Sequence, residues 1–286
     1  MKLSKSAILM TIGVLCLGAS SVMALPANAS DGDAYTNLVD GYRPSDQSAD
    51  PFAWAGKLIG PENCSATLVG PHTIVTDAHC LENTDSGYTF YLQYNNGASP
   101  NYSGCTVKSN YYIPNEYPDD FSYDWAIANL NCTLNPKNDK YPSVKMTGSS
   151  FFTNNTQYIN MGYPYVDSKI SNKWNQARTA AGEPTRSNTE ISRLANGQLL
   201  QTCGYLQSDK IYPHDQWVSK DSTGIKCRLG SGSSGGGWLS PDSNDDSGYA
   251  LVGVNGFDND SIPYYQFTNY WASDEFGATL TSYLNS

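Results

Sequence analysis

Three short segments carry residues whose types and spacing suit nucleophilic catalysis: Thr76-Asp77-Ala78-His79-Cys80, Asp124-Trp125-Ala126-Ile127-Ala128 and Gly230-Ser231-Gly232-Ser233-Ser234-Gly235-Gly236. A serine hydroxyl is a weak nucleophile at neutral pH. It needs a base within hydrogen-bond reach and an acid that fixes the base's tautomer and steadies its positive charge. It also needs donors aimed at the oxyanion that forms. Glycines around a serine let backbone N–H groups turn toward that oxyanion with no side chain intervening. Gly232-x-Ser234-Gly235-Gly236 suits this, with the N–H groups of Gly232 and Ser234 as the expected donors. Each segment alone also has an ordinary reading: a flexible loop, a structural histidine, a turn aspartate. Their joint occurrence gives the pattern its weight.

Chain order separates the architectures that use such a triad. In α/β-hydrolases the serine comes first, then the acid, then the histidine. Here the last histidine is His214, so none follows Ser234. An Asp, His, Ser order would pair Asp124 with His214, but it belongs to an α/β fold. The order left is His79, Asp124, Ser234, which is the chymotrypsin order.

The elements that must position these residues read as strands. Apolar runs of four to seven residues separated by turn residues recur along the chain. Examples are Ala66-Thr67-Leu68-Val69, Thr73-Ile74-Val75-Thr76, Tyr88-Thr89-Phe90-Tyr91-Leu92 and Leu251-Val252-Gly253-Val254. Many β-branched and aromatic residues at this spacing predict an all-β barrel or sandwich. One helix is expected, closing the chain: Ser273 can cap it, Asp274 and Glu275 suit its N-terminal end, and Phe276, Leu280 and Leu284 fall every fourth residue. Residues 135–150, with Pro136, Pro142, Asn138 and Gly148, are the expected connection between two halves. The Asp-rich stretch 241–248 departs from a calcium loop, since its glycine comes one place late and no closing Glu follows; it reads as a hairpin turn.

The N-terminus reads as a leader. Lys2 and Lys5 precede an apolar run over residues 7–19, and Ala27-Asn28-Ala29 offers a cleavage site, so residues 1–29 are expected to be removed on export. The run is too short to span a bilayer comfortably. Residues 30–51 are polar and read as a propeptide or N-terminal arm. Loss of residues 1–29 removes two of the 17 basic residues and none of the 27 acidic ones, leaving a net charge of −12. Such a surface repels phosphate backbones and anionic lipid, so nucleic acid and membranes are not expected partners. Cys16 leaves with the leader. The remaining Cys64, Cys80, Cys105, Cys132, Cys203 and Cys227 form an even set in an exported chain and read as disulfides, with fifteen pairings open. There is no Cys-x-x-Cys, and His72, His79 and His214 have no metal-ligand spacing. No metal or other cofactor is expected.

Over roughly residues 52–284 the chain resembles the trypsin/chymotrypsin superfamily, in particular its bacterial glutamyl-endopeptidase-like and actinobacterial secreted branches. The resemblance rests on Cys64-Ser65-Ala66-Thr67-Leu68-Val69-Gly70 leading to Thr76-x-Ala78-His79-Cys80, on Asp124-Trp125-Ala126-Ile127, and on Gly232-Ser233-Ser234-Gly235-Gly236-Gly237-Trp238-Leu239. Met161-Gly162-Tyr163-Pro164 and Leu251-Val252-Gly253-Val254-Asn255 resemble two further family strands. It implies two antiparallel six-stranded barrels, over residues 52–140 and 141–286, with His79 and Asp124 on the first and Ser234 on the second. It implies a secreted, monomeric serine endopeptidase acting on protein or peptide substrates. It also implies three disulfides: Cys64–Cys80, Cys203–Cys227 and, for the remaining pair, Cys105–Cys132. Arg228 falls near the base of the primary specificity pocket, where a positive charge would select Glu or Asp; an exposed arginine on a loop is the other reading, and the substrate preference stays open. Asn255 falls close to the position where glutamyl endopeptidases carry a selecting histidine. The chain departs from the family pattern at Asp77, where a small residue is usual, and at Gly237, where proline is common. It departs again at Ser233, where digestive members carry an aspartate that pairs with a new N-terminal amine. A relative that has lost catalysis and serves as a binding or adhesion protein is the competing expectation, and an esterase a third.

Overall fold

The computed structural model describes residues 43–83, 87–136, 139–147, 157–165, 168–180, 182–207, 222–225, 227, 229–258, 266–269, 271 and 274–286. The expected leader and residues 30–42 of the expected arm lie outside the described residues. The rest of the arm turns against the body, with Pro44 and Pro51 buried and the Phe52 N–H donating to Ala49 O at 2.8 Å.

The first half is built from β1 (Ala55–Ile59), β2 (Asn63–Gly70), β3 (Thr73–Thr76), β4 (Thr89–Leu92), β5 (Cys105–Thr106) and β6 (Ala126–Asn129). They form one antiparallel sheet in the order β5-β4-β1-β2-β3-β6. Its two ends meet. Lys108 N–H donates to Asn129 O at 2.8 Å and Asn131 N–H to Thr106 O at 2.9 Å, so the continuation of β5 is bonded to β6 and the sheet closes. Closure removes the unpaired edges that an open sheet exposes. β3 and β6 are buried at every position, as strands covered on both faces must be.

The second half contains β7 (Ser143–Val144), β8 (Gln157–Gly162), β9 (Gln201–Gln207), β10 (Ser222–Ile225), β11 (Gly237–Pro241), β12 (Tyr249–Val254), β13 (Phe257–Asp258) and β14 (Gln266–Asn269). One sheet runs β7-β12-β11-β8-β9 and another β10-β14-β13. β13 continues the line of β12 after two residues and carries it onto β14, where Phe257 faces Phe267. With β12 and β13 taken as one run, six antiparallel strands lie among the described residues of this half. The short β7, on the connection between halves, adds to β12 in parallel. Residues 241–248 are the hairpin turn from β11 to β12, closed by Asp242 N–H on Gly248 O at 2.9 Å. The expected all-β, two-barrel architecture is the one observed.

The helices differ from expectation in number and place. α3 (Asp274–Leu284) closes the chain as anticipated, with Phe276 and Leu280 buried. It packs on the first half, however. Phe276 meets Trp125 edge-on at 4.8 Å, and Tyr112 hydrogen-bonds Glu275. Two further helices, α1 (Ser168–Ala180) and α2 (Asn188–Leu194), lie between β8 and β9. α1 is polar overall and turns Trp174 and Arg178, four residues apart, inward. α2 is opened by a capping box in which Ser187 and Glu190 bond each other's backbone N–H groups.

The core is rich in aromatics, with Trp54, Trp125, Phe90 and Phe276 buried in the first half and Tyr158 and Trp238 in the second. Burial of each contributes about 2–3 kcal/mol. Cys64–Cys80, Cys105–Cys132 and Cys203–Cys227 are bonded, the pairing that the resemblance implied. Among the described residues, no helix is long and apolar enough to cross a membrane.

Candidate active site

His79 stands one turn beyond β3. Thr76 ends that strand by donating its hydroxyl to Ser65 O at 2.8 Å. A tight turn follows, with Leu81 N–H on Ala78 O at 2.9 Å, and Cys80 pins it to β2 through Cys64. Asp124 comes from the neighbouring strand. The pairing of β3 with β6 sets Thr76 opposite Ala126, so the residues just past Thr76 lie beside those just before Ala126. A short 3-10 turn, Phe121–Tyr123, capped by Asp120, delivers Asp124 at that point.

Both oxygens of Asp124 are used on His79. Oδ1 accepts the His79 backbone N–H at 3.0 Å, and Oδ2 lies 2.8 Å from Nδ1. A carboxylate only accepts, so Nδ1 carries a proton and Nε2 is the nitrogen left to take one up or give one away. Asp124 is buried, while the His79 side chain is 24% exposed. Burial disfavours the imidazolium. The hydrogen bond and charge of Asp124, with the charges of Asp77 and Glu62, outweigh it and push His79 up to about 9.

Ser234 arrives on the turn before β11. Gly230, Gly232 and Gly235 all have positive φ. At Gly232 a side chain would meet Tyr163 O at 2.8 Å, and at Gly235 it would run into Thr76, Ser65 O and the Asp77 backbone. Glycine is therefore required for both the backbone conformation and the close approach of the two halves. Within the loop, Ser233 N–H and Oγ both donate to Gly230 O, at 3.1 and 2.6 Å, and Gly236 N–H donates to Ser233 O at 2.9 Å. The N–H groups of Gly232 and Ser234, on either side of Ser233, are claimed by no acceptor among the described residues.

The Ser234 loop is fastened to the first half at three points. Ser65 N–H donates to Ser234 O at 2.7 Å, and Ser65 Oγ donates to Gly232 O at 2.8 Å while accepting from Tyr163 N–H. Asp77 Oδ2 accepts Gly235 N–H at 2.7 Å and lies 3.9 Å from His79 Nδ1. One buried carboxylate oxygen therefore stands between the imidazole and the serine loop. Ser234 Oγ and His79 are not hydrogen-bonded to each other. Distances of this kind commonly tighten when substrate binds.

The structure brings His79 and Asp124 into direct contact and sets the Ser234 loop beside them. Arg228 lies outside the described residues. Asn255 is fully buried beneath the loop instead of facing a substrate. Its Nδ2 donates to Met161 O at 2.9 Å and Ser233 O at 3.1 Å, and its Oδ1 accepts Trp238 Nε1–H at 2.8 Å. A side chain spent in this way braces the loop and has nothing left to offer a specificity pocket. Ser65 was not foreseen, because its role depends on a cross-barrel approach that no local motif encodes. Side-chain ligand atoms of Asp77, His79 and Asp124 fall within 4.8 Å of one another. The Nδ1 proton shared with Asp124 already accounts for that cluster.

Fold and site together define the class, a two-barrel serine protease. The sequence profile described as Trypsin matches residues 39–261. The chain belongs to the trypsin family and is a serine endopeptidase. No curated protein sequence matches it. Among solved structures it is similar to a Glu endopeptidase in complex with MPD, at 18% identity over 88% of this chain and 100% of that one, with a TM-score of 0.57. It is also similar to the protease Anisep from Arthrobacter nicotinovorans, at 24% identity over 82% of this chain and 96% of that one, with a TM-score of 0.57. A thermostable serine protease from an extremophilic microorganism gives 20% identity over 82% and 96%, with a TM-score of 0.55. At these identities the structures speak for the fold.

Proposed function

We propose that this protein is a secreted endopeptidase that cleaves peptide bonds through an acyl-enzyme on Ser234. His79 Nε2 takes the Ser234 hydroxyl proton as Oγ attacks the scissile carbonyl. The oxyanion of the tetrahedral intermediate is received by the Gly232 and Ser234 N–H groups. The imidazolium then returns the proton to the leaving amine, and a water activated by the same histidine hydrolyses the ester. Asp124 holds the tautomer and steadies the charge. The observation that carries this reading is the double use of Asp124 on His79, which leaves Nε2 as the only free nitrogen. The unclaimed N–H groups of Gly232 and Ser234, flanking a tied Ser233 N–H, support the oxyanion assignment. Three disulfides and the N-terminal leader pattern support export.

Labelling with a fluorophosphonate probe tests the proposal. The wild-type chain is expected to label and Ser234→Ala to stay unlabelled. Absence of Ser234-dependent labelling would sink the catalytic assignment and favour a binding relative. Labelling together with turnover of small esters but of no peptide would favour an esterase.

A further inference from the structure

Asp77 is fully buried and meets no lysine or arginine among the described residues; His79 is its one ion-pair neighbour, at 3.9 Å. Its Oδ2 accepts the Gly235 N–H, and its Oδ1 has no hydrogen-bond partner. A buried carboxyl group costs several kcal/mol unless its hydrogen bonds offset the lost hydration. A small apolar residue would fill this turn without that cost. Meanwhile Ser233, immediately before the nucleophile, carries no charge and spends its hydroxyl inside its own loop on Gly230 O. The acid that reaches the loop comes from the histidine segment.

We infer that Asp77 is a positioning residue: it ties the turn that carries His79 to the backbone just after Ser234, and so holds the serine and the oxyanion N–H groups in register with the base. The inference rests on the catalytic reading of Ser234 and His79. Gly235 N–H is shared between Asp77 Oδ2 at 2.7 Å and Asn255 O at 3.0 Å. Losing Asp77 therefore frees Gly235 from the His79 turn, while Ser65 still holds Gly232 and Ser234 and Asn255 still holds Gly235 from below. Burial, with the charge of Asp124, pushes the Asp77 carboxyl above the usual carboxylate range, against the pull of His79 and of the Gly235 N–H.

The test compares Asp77→Ala with Asp77→Asn. Asparagine keeps the acceptor for Gly235 N–H; alanine removes it. With active sites counted by fluorophosphonate titration, Asp77→Ala is expected to lower kcat about 10- to 100-fold with KM nearly unchanged. Its affinity for a peptide boronate should fall in parallel, and Asp77→Asn should recover most of both. An alanine variant with wild-type kcat, or an asparagine variant no better than alanine, would overturn the inference. A second readout covers an alanine variant that does not fold. In 15N-labelled wild type, the Gly235 amide proton should lie downfield and exchange slowly, and Asp77→Asn should preserve this. An unprotected Gly235 amide in the wild type would also overturn the inference, and that result does not depend on turnover. If the wild type fails to label while Gly235 is protected, the catalytic reading fails and the Asp77 tether stands.

Discussion

At the scale of single residues, the electrostatics of His79 set a pH dependence. The base is competent only as neutral imidazole. With His79 pushed up to about 9 from its ordinary 6.5, activity should be lost as pH falls through about 9. A kcat/KM profile on a neutral peptide substrate should rise to a midpoint near 9; a midpoint near 6.5 would mean that the neighbouring carboxylates do not hold the imidazolium as described. Stability runs the other way. A group whose pKa is raised on folding contributes stability that is complete below its unfolded value and is lost as pH rises through the folded one. The raised carboxyl of Asp77 acts in the same direction. Resistance to urea should therefore weaken over the same alkaline window in which activity appears. The contact of His79 with Asp124, and the Ser234 loop beside them, agree with the sequence reading because those identities and their order are local facts. The place of Asn255 was not legible there, because its two hydrogen-bonding atoms are spent on Met161, Ser233 and Trp238, all remote in sequence and brought close by the barrel.

At the scale of elements, the strands were readable because β-branched and aromatic runs bounded by turn residues carry their own signal. α1 and α2 were not, since among the described side chains of α1 the buried ones include the polar Ser171 and Arg178, which blur an apolar periodicity. α1 turns in Trp174 and Arg178, and α2 with its following residue turns in Ile191 and Ala195. The signal that was present was the Ser187-x-x-Glu190 capping box. The Cys64–Cys80 bridge spans 16 residues and encloses all of β3 and the turn that presents His79. In the chain-entropy account a loop of that size contributes about 3 kcal/mol. The double substitution Cys64→Ala/Cys80→Ala should lower the urea-unfolding free energy by about that amount. It should slow fluorophosphonate labelling more than the Cys105→Ala/Cys132→Ala pair, whose bridge lies away from the His79 turn. Equal labelling rates for the two variants would show that the bridge stabilises the fold without steadying the base.

At the scale of the whole molecule, the two halves are tied at the Ser234 loop and at several places away from it. Ser65 and Asp77 reach from the first half to that loop, and Lys57 Nζ reaches across to Gly197 O at 2.6 Å. α3 then returns the end of the chain to β6. With so many ties crossing the seam, the loop is ordered by contacts that the folded chain makes by itself. Ser233 offers no carboxylate for a terminal amine to find, and the carboxyl of Asp77 is fully buried with its Oδ2 engaged by Gly235 N–H. The chain should therefore need no newly exposed N-terminal amine to order its oxyanion loop, unlike relatives that place an aspartate at the position of Ser233. Two forms test this, one beginning at residue 30 and one at residue 43, each with a free and an acetylated terminus. All four should label at Ser234 within a few-fold of one another once active sites are counted. A loss of tenfold or more on acetylation of either form would mean that an amine is part of the ordering device. A loss confined to the longer form, whatever its terminus, would instead mark residues 30–42 as an occluding segment, and would leave the order of the loop itself independent of any terminal charge.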